Sequence, residues 1–314
     1  MTRHLISIDD LTDDELSWIA RRGAVFAAGA AEADRPLRDT VVGVLFRKTS
    51  TRTRTAFSAG AVRLGAQLIT YGPGDLQENT GETVEDTAAV LSGMLDVLVA
   101  RTAGPEAEMR AFAAQERMSV VNAMSAGEHP TQALADLTTI LQRFGHIDGI
   151  RVLYVGEGNN TASALALALS RFAGTELYLR TPEGFGVDPS YLDRAQLAAK
   201  ARGGVVAQEH HMNDLPAVDV VYTTRWQTTG TVKPKPDWRT DFEPFRVDDS
   251  VLAACPGAVF MHDLPAHRGE EVTAEVLDGA ASIAFRQAEN KYHSARAVLQ
   301  WCAGGSAGLE RAAV

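Results

Sequence analysis

The chain has 314 residues, 45% hydrophobic and 22% charged, with a formal net charge of −10 at pH 7. That length suggests two domains with ordinary globular cores, and the acidic balance argues against a nucleic-acid surface or an anionic membrane patch. Cys255 and Cys302 are too few for a disulfide framework or a Cys-rich metal site. The start, MTRHLISIDDLTDDEL, lacks the apolar core of a secretion signal, and no apolar run approaches membrane-spanning length. The expectation is a soluble, cytoplasmic, metal-independent protein. An anionic ligand would need a local basic pocket, because the global field would not attract it.

A helical stretch is expected over about 9–30. VVGVLF, 41–46, then reads as a buried strand: short, β-branched and bounded by polar residues. Ala56, Phe57, Gly60, Ala61 and Leu64 recur at helical spacing, so Ser50–Arg54, STRTR, is the turn between strand and helix, with Ser50 as a candidate N-cap. A helix N-terminus carries unpaired N–H groups and partial positive charge. Hydroxyls and a guanidinium added there suit a multiply charged oxyanion such as phosphate. The plainer alternative is a capped helix whose arginines pair with surface carboxylates. Further strands are expected at 67–72, 96–101 and 119–124, then at 151–156, 176–181, 205–210, 219–224 and 258–263. Helical patterns fall between them, including VEDTAAVLSGML, PTQALADLTTILQRF (130–144) and TASALALALSRFA. The alternation implies an α/β protein of two doubly wound parallel-sheet domains joined by interdomain helices. The expected division is 1–138 and 139–287, with a C-terminal helix at 288–314 returning to the first domain. One long proline-containing loop, 226–250, has no clear periodicity, and loops of that length are usually functional or mobile.

In open α/β sheets, ligands sit beyond the C-terminal strand ends. The first-domain ends supply Ser50-Thr51-Arg52-Thr53-Arg54, the 72–77 segment with Gln77, Arg101, and Glu128-His129-Pro130-Thr131-Gln132. The second-domain ends supply Glu157-Gly158-Asn159-Asn160, Thr224-Arg225-Trp226-Gln227 and His262-Asp263-Leu264-Pro265. Cations, amides and hydroxyls dominate the first set, a pocket for a small oxygen-rich anion with neutral donors for a carbonyl.

With STRTR (50–54), Arg101, HPTQALADL (129–137), VGEGNN (155–160), HDLPAHRGEEVT (262–273) and AENKYHSARAVL (288–299), the chain resembles the aspartate and ornithine carbamoyltransferases nearly end to end. STRTR and HPTQ, each after a strand, form a highly specific pair. The resemblance implies that Ser50, Thr51, Arg52 and Thr53 hold the phosphate of carbamoyl phosphate, and that Arg101 bridges phosphate and carbonyl. It implies that His129 and Gln132 fix the carbamoyl oxygen and nitrogen, with Leu264 and Lys291 in the same binding set. Gln77 would reach into a neighbouring subunit of a trimer with shared active sites. No cofactor or metal is implied. Arg54 is expected to pair with an acidic residue and support the turn.

For the acceptor amine, the motifs diverge. VGEGNN and HDLPAHRGEEVT resemble the ornithine branch, where Asn160 would contact an amino acid's α-carboxylate, but the usual cysteine of HCLP is Asp263. The aspartate that a D-x-W-x-S-M-G loop would use for the α-amino group is absent, since Thr224 stands there. Thr224-Arg225-x-Gln227 instead resembles the aspartate branch, whose arginine and glutamine grip carboxylates, and Lys291 replaces an arginine, exchanging a bidentate fork for a point charge. Asp263 places a carboxylate where the attacking amine arrives, able to bind an ammonium or guanidinium or to act as general base. A blander role is pairing with His267 or Arg268. The acceptor expected is a small amine or amino acid, ornithine-type but not of necessity ornithine. The alternatives are an aspartate-type enzyme, a silent homologue, and an NADP-dependent oxidoreductase using Gly156-x-Gly158 and Arg180, which lacks the third glycine.

Overall fold

Among the described residues, nine strands form where largely apolar runs are bounded by polar turns, and all of them pair in parallel. The structure, a computed structural model, describes residues 2–30, 35–228, 230–233 and 235–304. The chain divides into two units, Met1–Gln142 with Glu289–Val314, and Arg143–Ala288. No helix among the described residues is long and apolar enough to cross a membrane.

The first unit contains α1 (Asp13–Ala27), β1 (Val41–Phe46), α2 (Arg52–Arg63), β2 (Gln67–Tyr71), α3 (Val84–Leu91), β3 (Val97–Arg101), α4 (Glu106–Phe112), β4 (Ser119–Asn122) and α5 (Pro130–Phe144), which leaves the unit after Gln142. Its sheet order is β2-β1-β3-β4. β1, β3 and β4 are buried almost throughout, as continuous apolar parallel strands should be, whereas β2 is a largely exposed edge. Leu45, Leu98, Ala100, Met109, Phe112 and Val120 are at the centre of its core. Leu5 bridges to Val121, its N–H donating to the Val120 carbonyl at 2.8 Å, so an N-terminal strap extends the β4 edge. The polar opening of the sequence gives no sign of this.

The second unit contains β5 (Arg151–Val155), α6 (Asn160–Leu169), β6 (Glu176–Arg180), α7 (Pro189–Ala201), β7 (Val205–Glu209), β8 (Val220–Thr223), α8 (Arg239–Phe242), α9 (Asp249–Ala254), β9 (Val259–His262) and α10 (Ala274–Leu277). Its order is β7-β6-β5-β8-β9. α6 is buried on every side, and its N-cap Asn159 accepts from the N–H groups of Thr161 and Ala162. α11 (Ala284–Ala303) begins in the second unit and passes into the first at Glu289. The part of the expected C-terminal helix at 305–314 lies outside the described residues.

Three local expectations need correction. The helix after β1 is capped at Thr51, not Ser50: Thr51 is already in the right-handed helical region and makes no side-chain cap bond among the described residues. The stretch at 9–30 is a short 3-10 turn, Ile8–Asp10, followed by α1, each opened by its own capping box, Ser7 with Asp10 and Thr12 with Glu15. The 226–250 loop holds α8, a 3-10 turn at Glu243–Phe245 and the start of α9, runs too short to give a helical period in the sequence.

Candidate active site

Strand order reverses between β1 and β3 in the first unit and between β5 and β8 in the second, so each sheet opens a crevice at those C-terminal ends. In the first unit, β1 and β3 run in register to Phe46 beside Arg101, and the Arg47 N–H donates to the Arg101 carbonyl at 3.0 Å. This brings the STRTR turn beside Arg101. Thr53 is buried, Ser50 and Arg52 are half-buried and Thr51 is exposed. Arg47 pairs with Glu108, which keeps that nearby cation engaged. Arg54 is exposed and makes no ion pair among the described residues, so the expected acidic partner is not found.

His129, buried at the start of α5, shares a hydrogen bond between its Nδ1 and the Thr131 hydroxyl, 3.2 Å apart. Burial, then the charges of Lys291 and Arg101, push its pKa well below the ordinary 6.5, so it is neutral at pH 7. These three side chains therefore sense one another within the first unit. Gln132, also buried, donates Nε2 to Asp136 Oδ1 at 2.8 Å one helical turn on, which turns its amide oxygen the other way. The sequence marks Thr131 only as part of its strand-end segment and does not single out Asp136; the i, i+4 spacing of Gln132 and Asp136 is the signal it offers. Gln77 is exposed at the head of a 3-10 turn, and no hydrogen bond joins its side chain to this cluster among the described residues.

In the second unit the ends of β5, β8 and β9 converge on Asp263. Its Oδ2 accepts from the Thr161 hydroxyl at 3.0 Å, and both its oxygens lie 3.1 Å from Thr224 Oγ1. Asn159 Nδ2 reaches the same Thr224 oxygen at 3.3 Å. The suggested partners are engaged elsewhere: Arg268 is bidentate to Asp278 at 2.9 and 2.7 Å, and His267 lies beside Glu270. His262 Nδ1 is 3.5 Å from Asp263 but accepts the Leu264 N–H at 2.8 Å, while its Nε2 faces buried Glu271, so it offers Asp263 no proton. Asp263 is thus a half-buried carboxylate held by hydroxyls, without a cationic partner among the described residues. Leu264 is in the left-handed region, φ +50°, an uncommon state for a branched residue and one that clusters at functional sites. Asn160 is buried at the first turn of α6. Arg225 Nε donates to the Gln227 carbonyl at 2.8 Å, and Gln227 Nε2 to the Thr231 carbonyl at 2.9 Å.

The dinucleotide reading does not survive this geometry. A Cβ on Gly158 would lie 2.2 Å from the Val187 nitrogen, so that glycine admits the protein's own backbone, not a pyrophosphate. Arg180, the candidate for a nucleotide phosphate, is buried and paired with Glu209 on β7.

Sequence models of known families match both units: the carbamoyl-P binding domain of aspartate/ornithine carbamoyltransferase over residues 3–142, and the Asp/Orn binding domain over 148–302. The chain belongs to the aspartate/ornithine carbamoyltransferase family and is a carbamoyltransferase. Among its relatives, the ornithine carbamoyltransferase of Haloquadratum walsbyi is 38% identical over 302 residues, covering 94% of this chain and 96% of that one. The ornithine carbamoyltransferase of Acidothermus cellulolyticus is 40% identical, covering 96% of each. The structure of ornithine carbamoyltransferase from Pyrococcus furiosus superposes with a TM-score of 0.90 at 35% identity, covering 97% of this chain and 98% of that chain.

Proposed function

We propose that the enzyme carbamoylates a small amino acid carrying a second cationic group, with carbamoyl phosphate as donor and Asp263 as the carboxylate that receives that cation. Asp263, held by Thr161 and Thr224 and with no cationic partner among the described residues, carries this reading. The resemblance expects an acceptor-binding aspartate where Thr224 stands, and Asp263 touches Thr224 from the next strand. A carboxylate lost at the end of β8 is thus supplied from the end of β9. Asn160, Thr224, Arg225 and Gln227 complete the acceptor side. The aspartate-type alternative is weakened because the Asp263 carboxylate would face an acceptor's second carboxylate, while Arg225 Nε and Gln227 Nε2 are turned to carbonyls of their own loop.

On the donor side, Ser50, Thr51, Arg52 and Thr53 take the phosphate at the N-terminus of α2, a 12-residue helix whose first N–H groups suit a dianion. Neutral His129, accepting the Thr131 hydroxyl at Nδ1, turns Nε2–H toward the carbamoyl oxygen, where Arg101 adds charge. Gln132 presents its oxygen to the carbamoyl NH2, and Leu264 and Lys291 complete the set. The neutral amine attacks the carbonyl carbon, a C–N bond forms, the C–O bond to phosphate breaks, and the departing phosphate takes up the proton lost by nitrogen. Positioning and oxyanion stabilisation carry the rate. We also place the enzyme in the cytoplasm as a homotrimer, with Gln77 serving a neighbouring site. Two buried free thiols and the exposed Val62, Ile69, Val90 and Met94 of the first unit support that reading.

Phosphate release from carbamoyl phosphate with L-ornithine, L-lysine, L-2,3-diaminopropionate, putrescine and L-aspartate tests the assignment. A dibasic amino acid should serve best, and Asp263→Asn should weaken its use by about 10- to 100-fold, the scale of one hydrogen bond to a charged group. Turnover with L-aspartate alone, or an Asp263→Asn enzyme with an unchanged acceptor profile, would refute it.

A further inference from the structure

The loop after β8 is held by one side chain of the β5–α6 turn. Glu157 Oε2 accepts from the Thr228 N–H at 3.1 Å and the Thr228 hydroxyl at 2.9 Å, while Oε1 pairs with the Lys233 ammonium. The Lys233 side chain is only 4% exposed. Its ammonium lies 4.7 Å from the ring centre of Phe185, 4.9 Å from that of Phe242 and 5.5 Å from that of Trp238. These rings pack on one another and on Trp226 as a separate apolar cluster. A surface ion pair contributes little. Here the ammonium has lost its water, and one carboxylate and three aromatic faces stand in for it. A lysine so compensated acts as a cross-link, because withdrawing it strands the Glu157 charge and opens the ring cluster.

What the cross-link governs follows from chain order. Thr224 touches Asp263 and Thr228 touches Glu157, so the run from 224 to 228, with Arg225 and Gln227 between, is fixed at both ends. Neutralised by Lys233, Glu157 leaves Asp263 as the carboxylate that an incoming cation meets.

We propose that Lys233, caged by Phe185, Trp238 and Phe242 and paired with Glu157, is a positioning residue for acceptor specificity, holding residues 224–228 in place against Asp263. This rests on the acceptor reading above. Without Lys233 the run loses one anchor, and Glu157, two residues before Asn159 on the β5–α6 turn, becomes a second uncompensated carboxylate at that sheet end. The subsite then favours acceptors with more positive charge and no carboxylate.

The test uses Lys233→Met, Glu157→Gln and Lys233→Arg in the full chain. The readouts are phosphate release with L-ornithine and with putrescine, and chymotryptic nicking after Trp226 and Trp238. Lys233→Met should raise the KM for L-ornithine about tenfold or more, the scale of one charge-assisted contact, with the KM for carbamoyl phosphate within about twofold. It should also raise the putrescine-to-ornithine ratio and speed nicking. Glu157→Gln should speed nicking without raising that ratio, and Lys233→Arg should restore most of the wild-type behaviour. Equal rises in both KM values, or no change in either, would overturn the proposal. If no amine raises phosphate release by the wild-type enzyme above the amine-free rate, the acceptor reading itself falls. Nicking of Lys233→Met at the wild-type rate would then overturn the anchoring as well.

Discussion

Glu128 is wholly buried, yet it carries a carboxyl: Oε1 accepts the Ile8 N–H at 2.7 Å, and Oε2 has no hydrogen-bond partner among the described residues. Burial raises its pKa from 4.5 to about 7, the fields of Glu106 and Asp9 add to that, and bonds from Ser7 and Ile8 offset part of it. Because the raised value belongs to the folded chain, the fold holds more protons than the unfolded chain between pH 4.5 and 7. Its contribution is therefore complete below pH 4.5 and is lost as pH rises through about 7. Two and a half pH units at about 1.36 kcal/mol each give about 3 kcal/mol. Glu128→Gln keeps the shape and the acceptor for Ile8 but cannot ionise. Urea unfolding of both proteins from pH 5 to pH 8.5 should show the variant gaining on the wild type, from near parity at the acid end to about 3 kcal/mol at the alkaline end. A gap that stays constant across that range would refute the reasoning, since a lost contact alone has no such pH slope.

Arg52→Ala should abolish carbamoyl phosphate binding in calorimetry while leaving the circular dichroism spectrum unchanged; retained affinity would remove the phosphate assignment. Gly158→Ala should destabilise the second unit by about 1–3 kcal/mol, because the new methyl meets the fixed backbone of Gly186 and Val187. Thermal unfolding reads that loss, and an unchanged transition would contradict the close approach. Light scattering should give three times the chain mass, and a fully active monomer would contradict the role given to Gln77.

The central strands were legible because parallel strands buried on both faces must be apolar end to end, as in VVGVLF and DVVYTT, whereas the exposed edges β2 and β7 were legible from their β-branched residues and bounding turns. The segments of the candidate site were legible for a related reason. They follow those strands, and within each unit the order reversal sets them at the C-terminal end of one sheet. Side chains whose meaning comes from distant partners were not legible. Glu128 reads as one more acid until Ile8, 120 positions away in sequence, covers it. Lys233 reads as a solvated cation in a proline-rich loop until Glu157, 76 positions earlier, and the three rings enclose it. Asp263 was visible as a departure from its motif, but only the committed hydrogen bonds of Arg268 and His262 decide between pairing and availability.

The first unit is discontinuous, resuming at Glu289 after the whole second unit has intervened. Asn290 then bonds back to Thr139 and Gln142, Gln300 to Arg22, and Trp301 to Glu15. On the ribosome, the whole second unit must emerge before these closures can form, and contacts this remote in sequence are slow to find. The nascent first unit therefore carries an uncovered seam while the second unit is made, and chaperone dependence should track α11 more closely than any part of the catalytic apparatus.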